Sequence, residues 1–244
     1  MSNFAFCTLT VGEEYRKFSK TLIKQVTDLG RKIFVMTDIP SYYETHENVV
    51  IIPYTKKYFS FHEKRNIVRE CLKHYETAIF LDADVVLKDI NDLSFMENIH
   101  NGLHIFASFG NIGFTFFDKH HNEAFDIVKK YNYKCKKQFH EEVPGEYYLE
   151  HFLEGKWILK KDGGKENDFL DIWDKLADFC ENSTIEKQKT ERIGSEEGAA
   201  MSIACHNSGI KFSIAGPLTT LMTIHFISNY EEKMNGTVPW NIAG

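Results

Sequence analysis

Two periods of apolar residues alternate along the first third of the chain. Phe4-Ala5-Phe6-Cys7-Thr8-Leu9-Thr10 is a near-continuous apolar run, the pattern of a strand buried on both faces. Val11-Gly12 breaks it. Apolar side chains then recur at Tyr15, Phe18, Leu22, Val26 and Leu29, a helical spacing that Gly30 ends. Ile33-Phe34-Val35-Met36 predicts a second strand, closed by Thr37-Asp38 and then Pro40. Val49-Val50-Ile51-Ile52 predicts a short third one before Pro53. A further helix is expected from Ser60 to about Tyr75, opening on Ser60-Phe61-His62-Glu63 at the spacing of a capping box. Ala78-Ile79-Phe80-Leu81 is a fourth buried strand, and Val85-Val86-Leu87 resumes the apolar pattern after a short polar interruption. Strands and helices in this order predict βαβ units on a mostly parallel sheet.

Beyond Leu87 the pattern loosens. A strand is expected at 103–108, a turn at 110–113, a strand at 114–117 and a helix at 122–131. From Lys134 to about Glu191 the chain is polar and charged, with Trp157 and Trp173 inside it. One helix is expected around 169–179. Residues 157–161 read as a poor strand, and the charges from Lys160 to Lys165 read as a solvated loop. There is no repeat, low-complexity tract or linker. The expectation is one α/β domain over 1–244, with a Rossmann-like, mostly parallel central sheet flanked by helices. Residues 1–117 form its nucleotide-binding half and 118–244 a more irregular acceptor-side half.

Composition narrows the function classes. The chain has 244 residues, 43% of them hydrophobic and 14% aromatic, enough for a large core and too apolar for disorder. A net charge of −6 argues against a nucleic-acid surface as its main business. The cysteines Cys7, Cys71, Cys135, Cys180 and Cys205 are scattered without a C-x-x-C, which supports neither a zinc site nor a disulfide framework. Met1-Ser2-Asn3 enters the first strand without a basic leader, and no apolar stretch is long enough to span a bilayer. A cytoplasmic location is expected, with peripheral membrane association left open.

The chemistry concentrates at Asp82-Ala83-Asp84. An apolar strand delivers two carboxylates to what should be the carboxyl edge of the sheet, where open α/β folds bind ligands. Two carboxylates this close repel unless a cation lies between them, and oxygen-only donors favour Mg²⁺ or Mn²⁺. Upstream, Lys64 and Arg65 sit in the first turn of a predicted helix, against its dipole, which asks for an anionic partner. Glu196 and Glu197, after Gly194-Ser195, open another helix, where acids also serve as ordinary dipole partners. His225 lies in the apolar run Leu221-Met222-Thr223-Ile224-His225-Phe226, where a core histidine is the plain reading.

Together these stretches resemble the GT-A glycosyltransferases, and more closely the retaining blood-group (ABO-type) and glycogenin-like families. The resemblance is carried by the D-x-D at Asp82-Ala83-Asp84, by Thr8, Thr10, Val11 and Tyr15 in the opening strand and its loop, and by Phe34-Val35-Met36-Thr37-Asp38. Lys64-Arg65 and Asn111-Ile112-Gly113 extend it. It implies that Asp82 and Asp84 hold Mn²⁺ (or Mg²⁺) against the diphosphate of a UDP-sugar. The uracil-contacting loop would then include Thr8, Thr10, Val11 and Tyr15. Asp38, Lys64, Arg65, Ala83, Asn111 and Gly113 would complete the donor site. Glu197, with Glu196 beside it, would face the anomeric carbon, and His225 would complete the metal shell. The glycogenin-type signature H-x-x-G-x-x-K-P-W is matched only in part, since Lys233, Gly236, Pro239 and Trp240 are differently spaced.

The activity so implied is metal-dependent transfer of a hexose from a UDP-sugar to a hydroxyl acceptor (glycan, glycolipid or protein), with retention of configuration. Two other readings stay open. A haloacid-dehalogenase-type phosphatase also carries an Asp at a strand end, and Asp162-Gly163-Gly164-Lys165-Glu166-Asn167-Asp168 superficially resembles its later acidic segment. A non-catalytic protein that binds sugar nucleotides is the other.

Overall fold

The first apolar run forms β1 (Phe4–Thr10), buried along its whole length. The computed structural model describes residues 3–56, 61–87, 93, 95–106, 108–111, 136–137, 147–148, 150–152, 154–184, 197–214 and 223–225. After β1 come α1 (Glu13–Asp28), β2 (Ile33–Thr37) and β3 (Val49–Pro53). A 3-10 turn at Phe61–Glu63 leads into α2 (Lys64–Leu72), β4 (Thr77–Leu81) and β5 (Val85–Leu87). The second half holds α3 (Phe95–Asn98), β6 (Gly102–Ile105), β7 (Ser108–Asn111), β8 (Lys136–Lys137), β9 (Tyr147–Tyr148) and β10 (Glu150–Phe152). It continues through β11 (Lys156–Lys160), α4 (Lys165–Thr184), α5 (Glu197–Ser208), β12 (Phe212–Ile214) and β13 (Thr223–His225).

Seven strands form one sheet in the order β12-β6-β11-β4-β1-β2-β3. β1 runs parallel to β2 and β4, β2 to β3, and β12 to β6; β11 is antiparallel to both β4 and β6. Short antiparallel ladders join β7 to β10, β5 to β13 and β8 to β9. The molecule is therefore α/β, with a mostly parallel mixed sheet flanked by helices. That architecture is compatible with a Rossmann-like fold.

Alternation along the strands divides the core into two layers. Ala5, Cys7 and Leu9 pack with Phe80, Trp157, Ile67, Val68, Trp173 and Met201, the layer under α2, α4 and α5. Phe4, Phe6, Ile79, Leu81 and Ile158 pack on the other face with Leu22 and Val26 of α1. Burial on both faces is why these strands read as continuous apolar runs. Cys7, Cys71 and Cys205 are all buried.

Three expectations are corrected. Residues 157–161 are no poor strand: Lys156–Lys160 is an inner strand of the sheet, with Trp157, Ile158 and Leu159 fully buried. Its flanking lysines disguise it because their stems are apolar while only the heads are charged. The helix expected at 169–179 extends over Lys165–Thr184, so Lys165 belongs to its first turn and not to a loop. The strand expected at 103–108 stops at Ile105, and Gly110 and Asn111, read as a turn, lie in the separate strand β7. The expected elements at 114–117 and 122–131 fall outside the described residues, as do Gly113 and Glu196.

Among the described residues no helix is long and apolar enough to cross a membrane.

Candidate functional site

The strand order reverses between β1 and β4. From β1 the chain moves outward through α1 to β2 and β3, then returns through α2 to β4 on the other side of β1. α1 covers one face of the sheet and α2 the other. Such a switch point opens a crevice beyond the carboxyl ends of the two strands, where doubly wound sheets bind ligands. A small cavity of about 70 Å³ lies there, lined by Leu9 and Tyr15 from the β1 side, Asp82, Ala83 and Asp84 from the β4 side, and Phe61 and Lys64 from the start of α2.

The turn carrying the two aspartates is fixed from several directions. The Asp82 backbone N–H donates to the Gly155 carbonyl at 2.8 Å, and the Val85 N–H to the Asp82 carbonyl at 3.0 Å. Gln25 of α1 then acts as a side-chain strand partner to Leu87: its Nε2 donates to the Leu87 carbonyl at 2.8 Å, and its Oε1 accepts the Leu87 N–H at 2.9 Å. The ladder between β5 and β13 sets His225 opposite Val85, next in sequence to Asp84. The predicted third metal ligand is thus on the strand that borders the aspartate turn.

Lys64 joins the predicted site residues to one another. Its Nζ lies 2.9 Å from Asp82 Oδ1 and 3.0 Å from Glu197 Oε1, and both Lys64 and Glu197 are almost wholly buried. The ammonium also stands 5.6 Å from the Phe61 ring centroid and 5.5 Å from that of Phe80. Burial alone would draw its pKa down, but Asp82, Glu197 and Glu154 hold it well above the ordinary lysine value. Glu197, the first residue of α5, is pushed the other way: burial and the neighbouring Glu154 raise its carboxyl well above the usual range, against the pull of Lys64. The second oxygens of Glu197 and Glu154 are both buried without a hydrogen-bond partner. Glu154 is near enough to Glu197 to disfavour its charged form. Glu154 therefore belongs to the site, although nothing in the sequence pattern singles it out. It sits in the turn before β11, brought there by the contact of Gly155 with Asp82.

Arg65 does not line this cavity. Its Nε donates to Asp174 of α4 and its Nη1 to the His62 carbonyl at 2.6 Å, with Glu63 at 3.4 Å. The anionic partner that a cation at a helix start requires is here an internal carboxylate. Glu63, expected in a capping box, is engaged instead by Lys56 at 2.5 Å and Asn66 at 2.6 Å, and Ser60 lies outside the described residues. His62 is fully enclosed and accepts from Trp173 Nε1 at 3.0 Å. Burial, with Arg65, Lys64 and Lys56 nearby, lowers its pKa to about 3, so it is a neutral structural group.

The residues of the β1 loop divide in the same way. Tyr15 faces the cavity, edge-on to Phe61 with centroids 6.3 Å apart. Thr8 is fully buried with an unpartnered hydroxyl, and Val11 is half-buried. The Thr10 hydroxyl donates to the Met36 carbonyl at 3.2 Å, inside the sheet. Asp38 holds the loop in place: Arg16 Nη1 lies 2.5 and 2.7 Å from its two oxygens, and the Gly12 N–H donates to it at 3.3 Å. Gly12 has φ 98°, a left-handed conformation that favours glycine. Asn111 lies in β7, across the ladder from Glu150.

The donor set suits a hard divalent cation. Among the described residues no group of three or more His, Cys, Asp or Glu side chains is gathered closely enough to enclose a metal ion. Mg²⁺-type sites, however, usually take one or two protein carboxylates and complete their shell with water and substrate phosphate. Asp82 and Asp84 are two carboxylates on one cavity wall, the number such a site takes from protein.

The acidic segment at Asp162–Asp168 is not part of this constellation. β11 runs antiparallel to β4, so Lys160 pairs with Thr77 at the end of β4 opposite to Asp82. Asp162 therefore lies beyond the end of the strands opposite to the aspartate turn. Glu166 is also occupied, accepting the N–H groups of Asp162 at 2.7 Å and Gly164 at 3.0 Å. Comparison of the chain with protein-family models and with curated proteins gives no match.

Proposed function

We propose that this protein is a GT-A glycosyltransferase that moves a hexose from a UDP-sugar to a hydroxyl acceptor with the help of Mn²⁺ or Mg²⁺. The observation that carries the reading is the convergence of Asp82, Asp84, Lys64 and Glu197 at the switch point of a mostly parallel sheet. These residues come from three separate stretches of the chain, and each is one the resemblance names.

Asp82 and Asp84 would hold the metal, whose contribution when bound is Lewis-acid neutralisation of the departing diphosphate. Lys64, fixed between aromatic rings and carboxylates, presents a preorganised donor to the same developing negative charge. Tyr15 and Phe61 form an aromatic wall beside the aspartates, suited to an apolar face of the nucleotide. Glu197 is the group we place across the anomeric carbon. As a carboxylate it would stabilise an oxocarbenium-like sugar.

A panel of UDP-sugars incubated with the protein and Mn²⁺, with NMR of the released or transferred sugar, tests the proposal. Metal-dependent turnover of one or more donors is expected, with the α-anomer first formed from an α-linked donor. Absence of turnover and of UDP binding across the panel would refute it.

A further inference from the structure

The contact between Lys64 and Asp82 bears on how the site fills. Lys64 Nζ lies 2.9 Å from Oδ1 of Asp82, one of the two carboxylates proposed to hold the metal, and 3.0 Å from the buried Glu197. One ammonium thereby faces two carboxylates and offsets part of their charge. A divalent cation arriving at Asp82 meets an ammonium already there, and like charges at such short range repel strongly in a crevice that water screens poorly. The Lys64 side chain is 3% exposed and lines the crevice wall. It can leave Asp82 at low cost only toward a new anion inside the crevice, and a diphosphate is such an anion.

We infer that Lys64 is a built-in counter-ion that competes with the divalent metal for Asp82, and that a nucleotide diphosphate relieves this competition by taking the ammonium for itself. The inference rests on the proposed donor site. It makes metal and nucleotide mutually dependent ligands: each raises the affinity of the other by the same factor, because coupling between two ligands is reciprocal. Without nucleotide, the aspartate pair is a weak metal site despite its charge. This arrangement keeps the site from filling with metal alone.

Mn²⁺ binding followed by electron paramagnetic resonance, with and without UDP, tests this on the intact chain. Wild type should bind Mn²⁺ weakly alone and at least about fivefold more tightly with saturating UDP, the lower range of measured couplings. In Lys64→Met, Mn²⁺ alone should bind tighter than in wild type by a similar factor, and the gain on adding UDP should shrink. Lys64→Met/Glu197→Gln removes the cation together with the buried acid it serves, so it keeps the comparison available if the single variant does not fold. Equal Mn²⁺ affinity in wild type and in the folded Lys64 variant would overturn the competition while leaving a metal site. No Mn²⁺ binding in any arm, with or without UDP, would remove the proposed metal–nucleotide site and this inference with it.

Discussion

Replacing Lys64 by Met should destabilise the fold by about 3 kcal/mol, the lower end of the roughly 3–5 kcal/mol lost when one partner of a buried ion pair is deleted. Met keeps an unbranched apolar side chain and removes the ammonium that stands beside Phe61 and Phe80. The size of the loss is set by the two carboxylates left behind. Asp82 is 27% exposed and recovers much of its lost partner from water. Glu197 is 4% exposed and cannot; it must take up a proton, which limits the loss. For a chain of this size, about 3 kcal/mol corresponds to a fall in Tm of roughly 6–12 °C. Urea unfolding followed by circular dichroism would measure it. Adding Glu197→Gln should recover part of the stability, with a coupling energy of about 1–3 kcal/mol in the double-mutant cycle. A loss below about 1 kcal/mol, or strictly additive variants, would show that Lys64 is not the counter-ion of a buried cluster.

The site leads to three further expected outcomes. Glu197→Gln should leave UDP affinity within about threefold of wild type while kcat collapses, since its carboxylate is placed to stabilise positive charge developing at the sugar rather than to hold the nucleotide; calorimetry and steady-state kinetics separate the two effects. Arg65→Ala should lower stability by about 1.5–3 kcal/mol, the worth of charged hydrogen bonds, and leave UDP affinity unchanged, because Arg65 is engaged by Asp174, Glu63 and the His62 carbonyl; a UDP affinity reduced tenfold in calorimetry would return Arg65 to the donor site. Stability should also fall as the pH drops below about 6.5, because burial lowers the folded pKa of His62 to about 3 and that of His104, in β6 between Ser213 and the His100 carbonyl, to about 4, from 6.5. The unfolded chain then binds more protons than the folded one across that window, so acid favours unfolding. His62→Asn keeps an acceptor for Trp173 and should flatten part of the acid limb in urea midpoints measured from pH 7 to 4.

The parts of the fold that were legible are those whose pattern has a single physical cause. β1, β2 and β4 are buried on both faces, so their apolar runs admit no competing reading, and the aspartates at the end of β4 stand where such a strand must stop. β11 was hidden because Lys156 and Lys160 bound a three-residue apolar centre, and long aliphatic stems let lysine flank a buried strand. Lys64 and Glu197 could each be picked out from a helix start. Their meeting could not, since it depends on α5 packing over the sheet from more than half the chain away. Glu154 carried no local signal at all: its role comes from the backbone bond of Gly155 to Asp82. Asp38 and Thr10 show the converse, polar residues at strand ends whose partners, Arg16 and the Met36 carbonyl, lie within the chain.

The proposed function stands or falls on whether the aspartate pair at the switch point binds a nucleotide diphosphate through a divalent cation. Calorimetric titration of UDP into the wild-type chain and into Asp84→Asn, each with Mn²⁺ and with a chelator, tests it most directly. Binding by wild type with Mn²⁺, lost in the chelator and weakened by at least about tenfold in a folded Asp84→Asn protein, is the predicted result. UDP affinity that is indifferent to both metal and Asp84 would contradict it.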